Sequence, residues 1–310
     1  MSTARTRRTR SAAAVTAAAA LLILFAPTAA HAAFPGANGR IAFESGRTDE
    51  LDIYSAKPDG SHLRRLTGGA TVVDQHPEWS PEGTRIVWYR AASFDAPGNI
   101  WVMDADGSNK MQLTSGPAAD ADPAWSADGQ HIVFTRITQS RAADLWIMDA
   151  DGSDKYQLTF SPAADFAASW SSTNVIAFSS ERTGNGDVYT IHPNGSGLHQ
   201  VTHQAAPDIY PDWSPDASKI VFFTEGGLTN DREVWRVRSD GTHLKRLTNN
   251  NVDDSYPSWS PSGGRITLQR DVREGGLDFY DVWTMKANGT DFKRVTHDAF
   301  TDGVPNWQPK

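Results

Sequence analysis

Tryptophan recurs six times at a nearly constant spacing along this 310-residue chain. Successive copies are separated by 46, 45, 43, 46 and 48 residues, and they are Trp79, Trp125, Trp170, Trp213, Trp259 and Trp307. The surrounding sequence repeats as well, as in Pro-Glu-Trp-Ser-Pro around Trp79 and Pro-Asp-Trp-Ser-Pro around Trp213. A fixed period of this length indicates equivalent structural units placed side by side.

Each unit reads as four short strands. A β-branched run follows the first five tryptophans, as in Ile132-Val133-Phe134, and an acid or amide then precedes an aliphatic–aromatic pair, as in Asp144-Leu145-Trp146. An Asp-Gly or Asn-Gly turn and a closing Leu-Thr or Val-Thr complete every unit, and such turns favour tight hairpins. The sequence therefore predicts an all-β fold, a six-bladed β-propeller of four-stranded blades.

The two ends of the chain complement each other. The chain begins with the second, third and fourth strands of a unit, near Ile41, Ile53 and Leu63–Thr67, and it ends with a lone first strand at Val304–Trp307. Pairing of the last strand with Arg40–Ser45 would complete this blade and remove two free edges. We therefore expect the C-terminal strand to close the ring in the N-terminal blade.

The first 32 residues have the pattern of a secretory signal peptide. A basic head with four arginines precedes an apolar run over Ala12–Ala26 and the small-x-small motif Ala30-His31-Ala32. The run is short for a membrane span, so we expect cleavage, no membrane insertion afterwards, and a propeller over residues 33–310. The protein is then exported, to the medium or to the periplasmic or cell-wall space.

Cysteine content and net charge limit how the protein can be anchored or cross-linked and which partners it can bind. The chain has no cysteine, which excludes a lipoprotein anchor and disulfides. Removal of the signal peptide leaves 25 basic and 37 acidic residues, a net charge of −12. Nucleic acid is therefore not expected as a partner, because phosphate backbones are bound by clustered Lys and Arg. A closed ring does not need to oligomerise in order to fold, so the sequence is compatible with a monomer and does not fix the oligomeric state.

The repeats resemble the WD-repeat-like units of the TolB propeller family. The residues that carry this resemblance are Ile176–Gly184 leading to Asp187-Val188-Tyr189, followed by Asp208–Asp216. The resemblance covers residues 34–310, and the α/β domain that precedes the propeller in TolB has no counterpart in it. In that family the propeller binds a peptidoglycan-associated lipoprotein over one face. The resemblance therefore implies partner binding by the propeller face. Related repeats also precede a hydrolase domain in prolyl oligopeptidase-like peptidases, but this sequence contains no Gly-x-Ser-x-Gly nucleophile elbow.

Connectivity sorts the loops onto two faces. The near-invariant Ser-Pro-x-Gly and Asp-Gly turns share one face. The loops between second and third strands and those between blades share the other, which we call the variable face. Loops that vary in length and composition are where binding usually resides. The candidate contacts on these loops are Phe94, Leu228, Phe279 and Tyr280.

An aspartate lies five residues before every tryptophan: Asp74, Asp120, Asp165, Asp208, Asp254 and Asp302. Propeller geometry predicts that these six surround the mouth of the central channel. One interpretation is a carboxylate ring that attracts a divalent cation or a basic group of a partner. The other, which sixfold repetition favours, is a scaffold role in which each carboxylate accepts backbone N–H bonds at a turn.

Three histidines are candidate functional residues that do not recur from unit to unit. His76, His203 and His297 fall on the variable face, and His76 is two residues from Asp74. Histidine beside a carboxylate can bind a metal or act as a base, but these three come from different blades and different positions within their units.

The sequence thus favours a non-catalytic exported module, without a cofactor or resident metal, that binds a protein, peptide or cell-envelope component through the variable face. The alternative is a propeller enzyme, a metal-assisted lyase or hydrolase acting on a carbohydrate or lactone. A structural assembly platform is a third reading, because a fold alone does not assign a function.

Overall fold

The computed structural model describes residues 35–48, 50–69, 71–138, 140, 143–226, 231–274 and 277–310. The regular elements within these ranges are β-strands, which form six four-stranded antiparallel sheets. None of the described residues belongs to a helix long and apolar enough to cross a membrane. The predicted signal peptide lies outside the described residues.

The six sheets are the blades of a propeller, and the strands of each blade follow one another from the channel outward. Blade 1 contains β24 (Asp302–Pro309), β1 (Asn38–Ser45), β2 (Asp52–Ala56) and β3 (Arg64–Arg65). Blade 2 contains β4 (Val73–Trp79), β5 (Arg85–Ala91), β6 (Asn99–Asp104) and β7 (Met111–Gln112). Blade 3 contains β8 (Ala119–Trp125), β9 (His131–Ile137), β10 (Ala143–Asp149) and β11 (Tyr156–Gln157). Blade 4 contains β12 (Asp165–Trp170), β13 (Ile176–Ser180), β14 (Asp187–Ile191) and β15 (His199–Gln200). Blade 5 contains β16 (Asp208–Trp213), β17 (Lys219–Thr224), β18 (Glu233–Arg238) and β19 (Lys245–Arg246). Blade 6 contains β20 (Asp254–Trp259), β21 (Arg265–Glu274), β22 (Leu277–Lys286) and β23 (Lys293–Arg294).

The C-terminal strand closes the ring as predicted. Strand β24 pairs antiparallel with β1, with Trp307 opposite Ile41 and Asp302 opposite Ser45. Blade 1 therefore takes its inner strand from one end of the chain and its other three strands from the opposite end. The six-bladed all-β fold predicted from the repeats is confirmed.

The core consists of six apolar clusters, each shared by two adjacent blades. The recurring tryptophan lies in these clusters: Trp125 of blade 3 packs with Val87 and Leu113 of blade 2. The cluster between blades 6 and 1 has the same construction, with Trp307 packed against Val282 and Val295. A fully buried tryptophan removes roughly 200 Å² from water, which stabilises the native state by about 5 kcal/mol as an upper estimate. The tryptophan repeat therefore holds the ring together.

A hydrogen-bonded latch explains the threonine that ends each unit. In blade 3 the N–H of Leu145 donates to Thr159 Oγ1 at 3.0 Å, and that hydroxyl donates to Asp144 Oδ1 at 3.4 Å. The N–H to threonine bond recurs in all six blades. The threonine hydroxyl also donates to the aspartate that opens the third strand in blades 1, 3, 4 and 6, so these four aspartates belong to the blade scaffold.

Candidate functional site

The inner strands bulge toward the channel at one position. The residue three before each tryptophan has a left-handed φ between 47° and 55°, and the pairing register of its strand shifts beside it. A bulge of this kind turns the side chain away from the ordinary alternation of a strand. We call these six residues the upper ring, and they are His76, Asp122, Ala167, Tyr210, Tyr256 and Val304. All six line one depression in the centre of the propeller, nearer to the variable face.

The upper ring contains a half-buried ion pair between two blades. His76 Nδ1 lies 2.5 Å from Asp122 Oδ1, and the backbone N–H of His76 donates to Glu44 Oε2 at 3.3 Å. Burial alone would lower the pKa of His76, but the charges of Asp122 and Glu44 outweigh it and raise the pKa to about 9. Burial also raises the pKa of Glu44. His76 is therefore an imidazolium at neutral pH, held by Asp122.

Two tyrosines of the upper ring belong to a cluster of aromatic side chains. The rings of Tyr210 and Tyr256 meet edge to face at 4.6 Å, and Phe223 lies 5.7 Å from Tyr210 and 5.3 Å from Tyr256. Phe166 adds an edge contact to Tyr210 at 6.3 Å, and the His76 ring lies 6.0 Å from that of Tyr210. We call Phe166, Tyr210, Phe223 and Tyr256 the aromatic patch.

The phenols of this patch are hydrogen-bond donors over the whole physiological range. Burial raises the pKa of Tyr256 to about 12 and that of Tyr210 well above its ordinary value. The two hydroxyls therefore stay protonated beside the charged His76–Asp122 pair, and the site combines apolar area with polar groups at one edge.

A second, lower ring consists of the residues immediately before the tryptophans. Glu78 Oε1 accepts the N–H of Trp125 at 3.0 Å, and Asp212 Oδ2 accepts the N–H of Trp259 at 2.7 Å. Burial raises the pKa of Asp212 to about 6 and that of Glu78 well above its usual range. Each of these side chains joins its own blade to the next, so they contribute to the scaffold of the channel.

The six predicted aspartates lie inside the blades, with between 0% and 1% of each residue exposed. Five of them form ion pairs of 2.5–2.9 Å with an arginine whose guanidinium lies 4.4–5.7 Å from the centre of at least one aromatic ring. We call this arrangement the arginine clamp; its pairs are Asp74–Arg90, Asp120–Arg136, Asp165–Arg182, Asp254–Arg270 and Asp302–Arg47. The structure thus replaces the expected open ring at the channel mouth by buried pairs, and the donors are arginines rather than the backbone N–H groups of the scaffold interpretation.

Asp208 of blade 5 differs from the other five. It accepts the Thr224 hydroxyl at 2.6 Å and the Gln204 amide at 2.8 Å, both on Oδ1. Burial raises the pKa of Asp208 to about 7. Blade 5 is therefore the exception in an otherwise regular set.

The remaining predicted contacts are dispersed, and Leu228 lies outside the described residues. Phe94 is 65% exposed on the loop between β5 and β6, whereas Phe279 is only 6% exposed and is therefore not a surface contact. Tyr280 is partly buried in β22, and His203 and His297 are exposed on separate loops. His76 alone of the three histidines joins the channel cluster, and within the described ranges no group of three or more His, Cys, Asp or Glu residues is arranged to hold a metal ion.

Sequence reasoning missed Glu44, Asp122, Tyr210 and Tyr256. The last three stand three residues before a tryptophan, where the residue type changes from blade to blade while the proline that follows recurs in five of the six units. A comparison of the repeats for a variable position directly before a recurrent proline would have pointed to the upper ring.

The comparisons with known proteins agree with this architecture. The sequence matches the family described as the TolB beta propeller domain over residues 73–171 and 136–266, together well over half of the chain. It is 29% identical over 178 residues to a TolB homolog of Chlorobium luteolum, covering 57% of this chain and 38% of that protein. It is 35% identical over 105 residues to an uncharacterized protein of Agrobacterium fabrum, covering 31% of this chain and 36% of that protein.

Among solved structures, TolB from Acinetobacter baumannii superimposes with a TM-score of 0.74 at 20% identity, covering 88% of this chain and 67% of that one. The chain spans well under half the length of the two curated relatives above, 36% and 38%. The family match and the six tryptophan-wedged blades lead to one conclusion: this chain belongs to the TolB β-propeller domain family.

Proposed function

We propose that this protein is an exported, non-catalytic binding module that engages a protein or other cell-envelope component through its variable face, with the upper ring at the centre of the contact. The curated relatives include Tol-Pal system proteins, and a partner of the same general kind, an envelope protein, is the first expectation for this chain. Export to the periplasm or medium is part of the proposal.

The observation that carries the proposal is the asymmetric composition of the upper ring. A scaffold element repeats in every blade, whereas the aromatic patch comes from blades 4, 5 and 6 and the His76–Asp122 pair comes from blades 2 and 3. Tyrosine is enriched at the centres of protein interfaces, because it provides large contact area and one polar group with few rotatable bonds. A rigid propeller therefore holds a preformed aromatic and charged patch on the face where its loops vary.

Site-specific photo-cross-linking in the producing bacterium tests the proposal. A photoreactive residue at position 94, on the variable face, should form a cross-linked adduct with one partner, and the double variant Tyr210→Ala/Tyr256→Ala should abolish it. The matched control is a photoreactive residue in place of Tyr156, which is 45% exposed on the outer strand β11, near the tight-turn face. Adducts of equal yield from positions 94 and 156, or an adduct unaffected by the double variant, would contradict the proposal.

The enzyme alternative is favoured by one observation, the His76–Asp122 pair beside two phenols in the channel. An imidazolium with a pKa of about 9 could act as a general acid in a lyase or hydrolase. A panel of lactones, aryl esters and polyuronates tests this reading. Turnover that is lost in His76→Gln and retained in His203→Gln, an exposed histidine of the same face, would transfer the assignment to an enzyme.

A further inference from the structure

Blade 5 contains every part of the arginine clamp except the arginine. In three blades the arginine stands opposite the aspartate on the second strand, as Arg270 stands opposite Asp254. In two others that position is serine and the arginine follows two residues later, as Ser180 precedes Arg182 opposite Asp165. In blade 5 the same two positions are Thr224 and Gly226.

Blade 5 has no clamp arginine, but the carboxylates of Asp208 and Glu233 are present. Oδ2 of Asp208 and Oε2 of Glu233 are both buried without a hydrogen-bond partner, and the two residues are 0% and 3% exposed. Thr224 lies between them in the sheet, since it pairs with Asp208 on one side and with Glu233 on the other. The second oxygen of Glu233 is occupied by Arg246 at 2.7 Å and by the N–H of Asn250 at 2.9 Å. One bare oxygen therefore remains on each carboxylate.

The aromatic wall of the clamp is also present. Trp235 pairs with Phe222 across the sheet, as Trp101 pairs with Trp88 beneath Arg90 in blade 2. Trp235, Glu233 and Thr224 line a cavity with Gln204, Asp231 and Arg246. Asp208 does not line this cavity but lies directly behind it, bonded to the lining residues Thr224 and Gln204. We call the cavity together with Asp208 the blade-5 slot.

The neighbouring Arg232 does not fill this slot. It binds Glu225 at 3.2 Å, and its guanidinium lies over the Phe223 ring at 5.9 Å. Because adjacent residues of a strand point to opposite faces of a sheet, Arg232 and Phe223 lie on the face opposite to Glu233 and Thr224.

We infer that the blade-5 slot binds a guanidinium group supplied from outside the chain, as the side chain of an arginine in a partner polypeptide. A guanidinium offers five N–H donors in a planar fork, which can bridge two carboxylate oxygens while its face stacks on an indole. A buried carboxylate without a partner is costly, so a ligand that supplies the missing cation gains more in this slot than at an exposed acid. The slot lies in a blade rather than in the channel, so it is a site beyond the upper ring of the proposed function.

Binding of N-acetyl-L-arginine amide to the full chain tests the inference, by calorimetry and by thermal melts. We expect saturable binding and a rise in the melting temperature of about 3 °C at ten times the dissociation constant. The neutral isostere N-acetyl-L-citrulline amide and the ammonium analogue N-acetyl-L-lysine amide should bind at least tenfold more weakly. If free L-arginine binds and the arginine amide does not, the assignment to a peptide side chain would be overturned.

Two variants test whether the arginine amide binds in the blade-5 slot. Thr224→Arg places the blade's own arginine opposite Asp208, so it should raise the melting temperature and abolish the response to the arginine amide. Asp208→Asn, which keeps the shape and removes the charge, should also abolish that response, while Asp240→Asn, at an exposed carboxylate in the tight turn of the same blade, should leave it unchanged. A wild-type protein that does not respond, or a response that survives in Asp208→Asn, would overturn the inference. Neither result bears on cross-linking at the variable face, so the two proposals fail separately.

Discussion

Replacing Asp208 by asparagine should stabilise the protein at neutral pH. Burial raises the pKa of this carboxyl from 3.8 to about 7, so the unfolded chain ionises more readily than the folded one. Ionisation therefore favours unfolding, and stability falls as the pH rises from about 4 to about 7. The difference of about three pKa units corresponds to at most about 4 kcal/mol above pH 7. Because an asparagine amide introduces a buried donor at a cost of about 2 kcal/mol, the net gain should be about 2 kcal/mol, or roughly 5 °C in melting temperature.

Urea unfolding of the wild-type and Asp208→Asn proteins at pH 4.5 and pH 8 measures this gain. The gain should be present at pH 8, whereas at pH 4.5 the carboxyl is neutral in the folded protein, the cost of the buried amide donor outweighs the remaining benefit, and the variant should be less stable than the wild type by about 1 kcal/mol. The matched control is Asp165→Asn at the equivalent position of blade 4. There the carboxylate binds Arg182 through both oxygens at 2.9 Å, so its loss should destabilise by about 3 kcal/mol. Two equivalent substitutions should thus act in opposite directions. Destabilisation of similar size by both, or a gain at pH 8 no larger than at pH 4.5, would refute the reasoning.

Three further results are expected. Truncation before Gly303 removes nearly all of β24, the inner strand of blade 1, so it should unfold the whole ring rather than one blade, and an unchanged melting curve would contradict this. The His76–Asp122 pair raises the pKa of His76 from 6.5 to about 9. The stability that this pair contributes is therefore complete below about pH 6.5 and is lost as the pH rises through 9. An NMR titration of the His76 ring should give this pKa, and Asp122→Asn should lower it. Val304 is a β-branched residue with φ of 47°, which costs about 1 kcal/mol or more, so Val304→Asn should raise the melting temperature by roughly 3 °C in a thermal melt.

The repeats predict the fold almost completely because propeller architecture depends on features that recur in every unit. Trp125 predicts a wedge between two blades because its size and period leave one structural role, and the structure confirms that packing. Ring closure follows from counting strands, since the lone strand at Val304–Trp307 has one blade to complete. Periodic signals of this kind are local in sequence and repeat six times, so each copy supports the others.

The chemistry of the channel could not be predicted in the same way. The pairing of His76 with Asp122 depends on two bulges in neighbouring blades, and a bulge reverses the alternation from which side-chain direction is read. The burial of Phe279 has a related cause, because β21 and β22 extend as a long hairpin where the sequence suggested an open loop. The aspartate repeat was visible, but its arginine partners stand at two different offsets, which hides the clamp from a search at constant spacing.

Blade 5 differs from the other five blades at positions that are otherwise regular. Asp208 and Tyr210 are two residues apart on β16, one in a clamp without its cation and the other in the aromatic patch. We expect a clamp arginine in blade 5 to stabilise the fold by pairing with Asp208, as an arginine pairs with the equivalent aspartate in the five other blades, but blade 5 has Thr224 at the position opposite this aspartate. A position that departs from the repeat pattern and thereby lowers stability is often one where a functional requirement outweighs stability. On this reasoning the stability that Thr224→Arg restores should come at the expense of guanidinium binding, and the two effects should appear in the same variant.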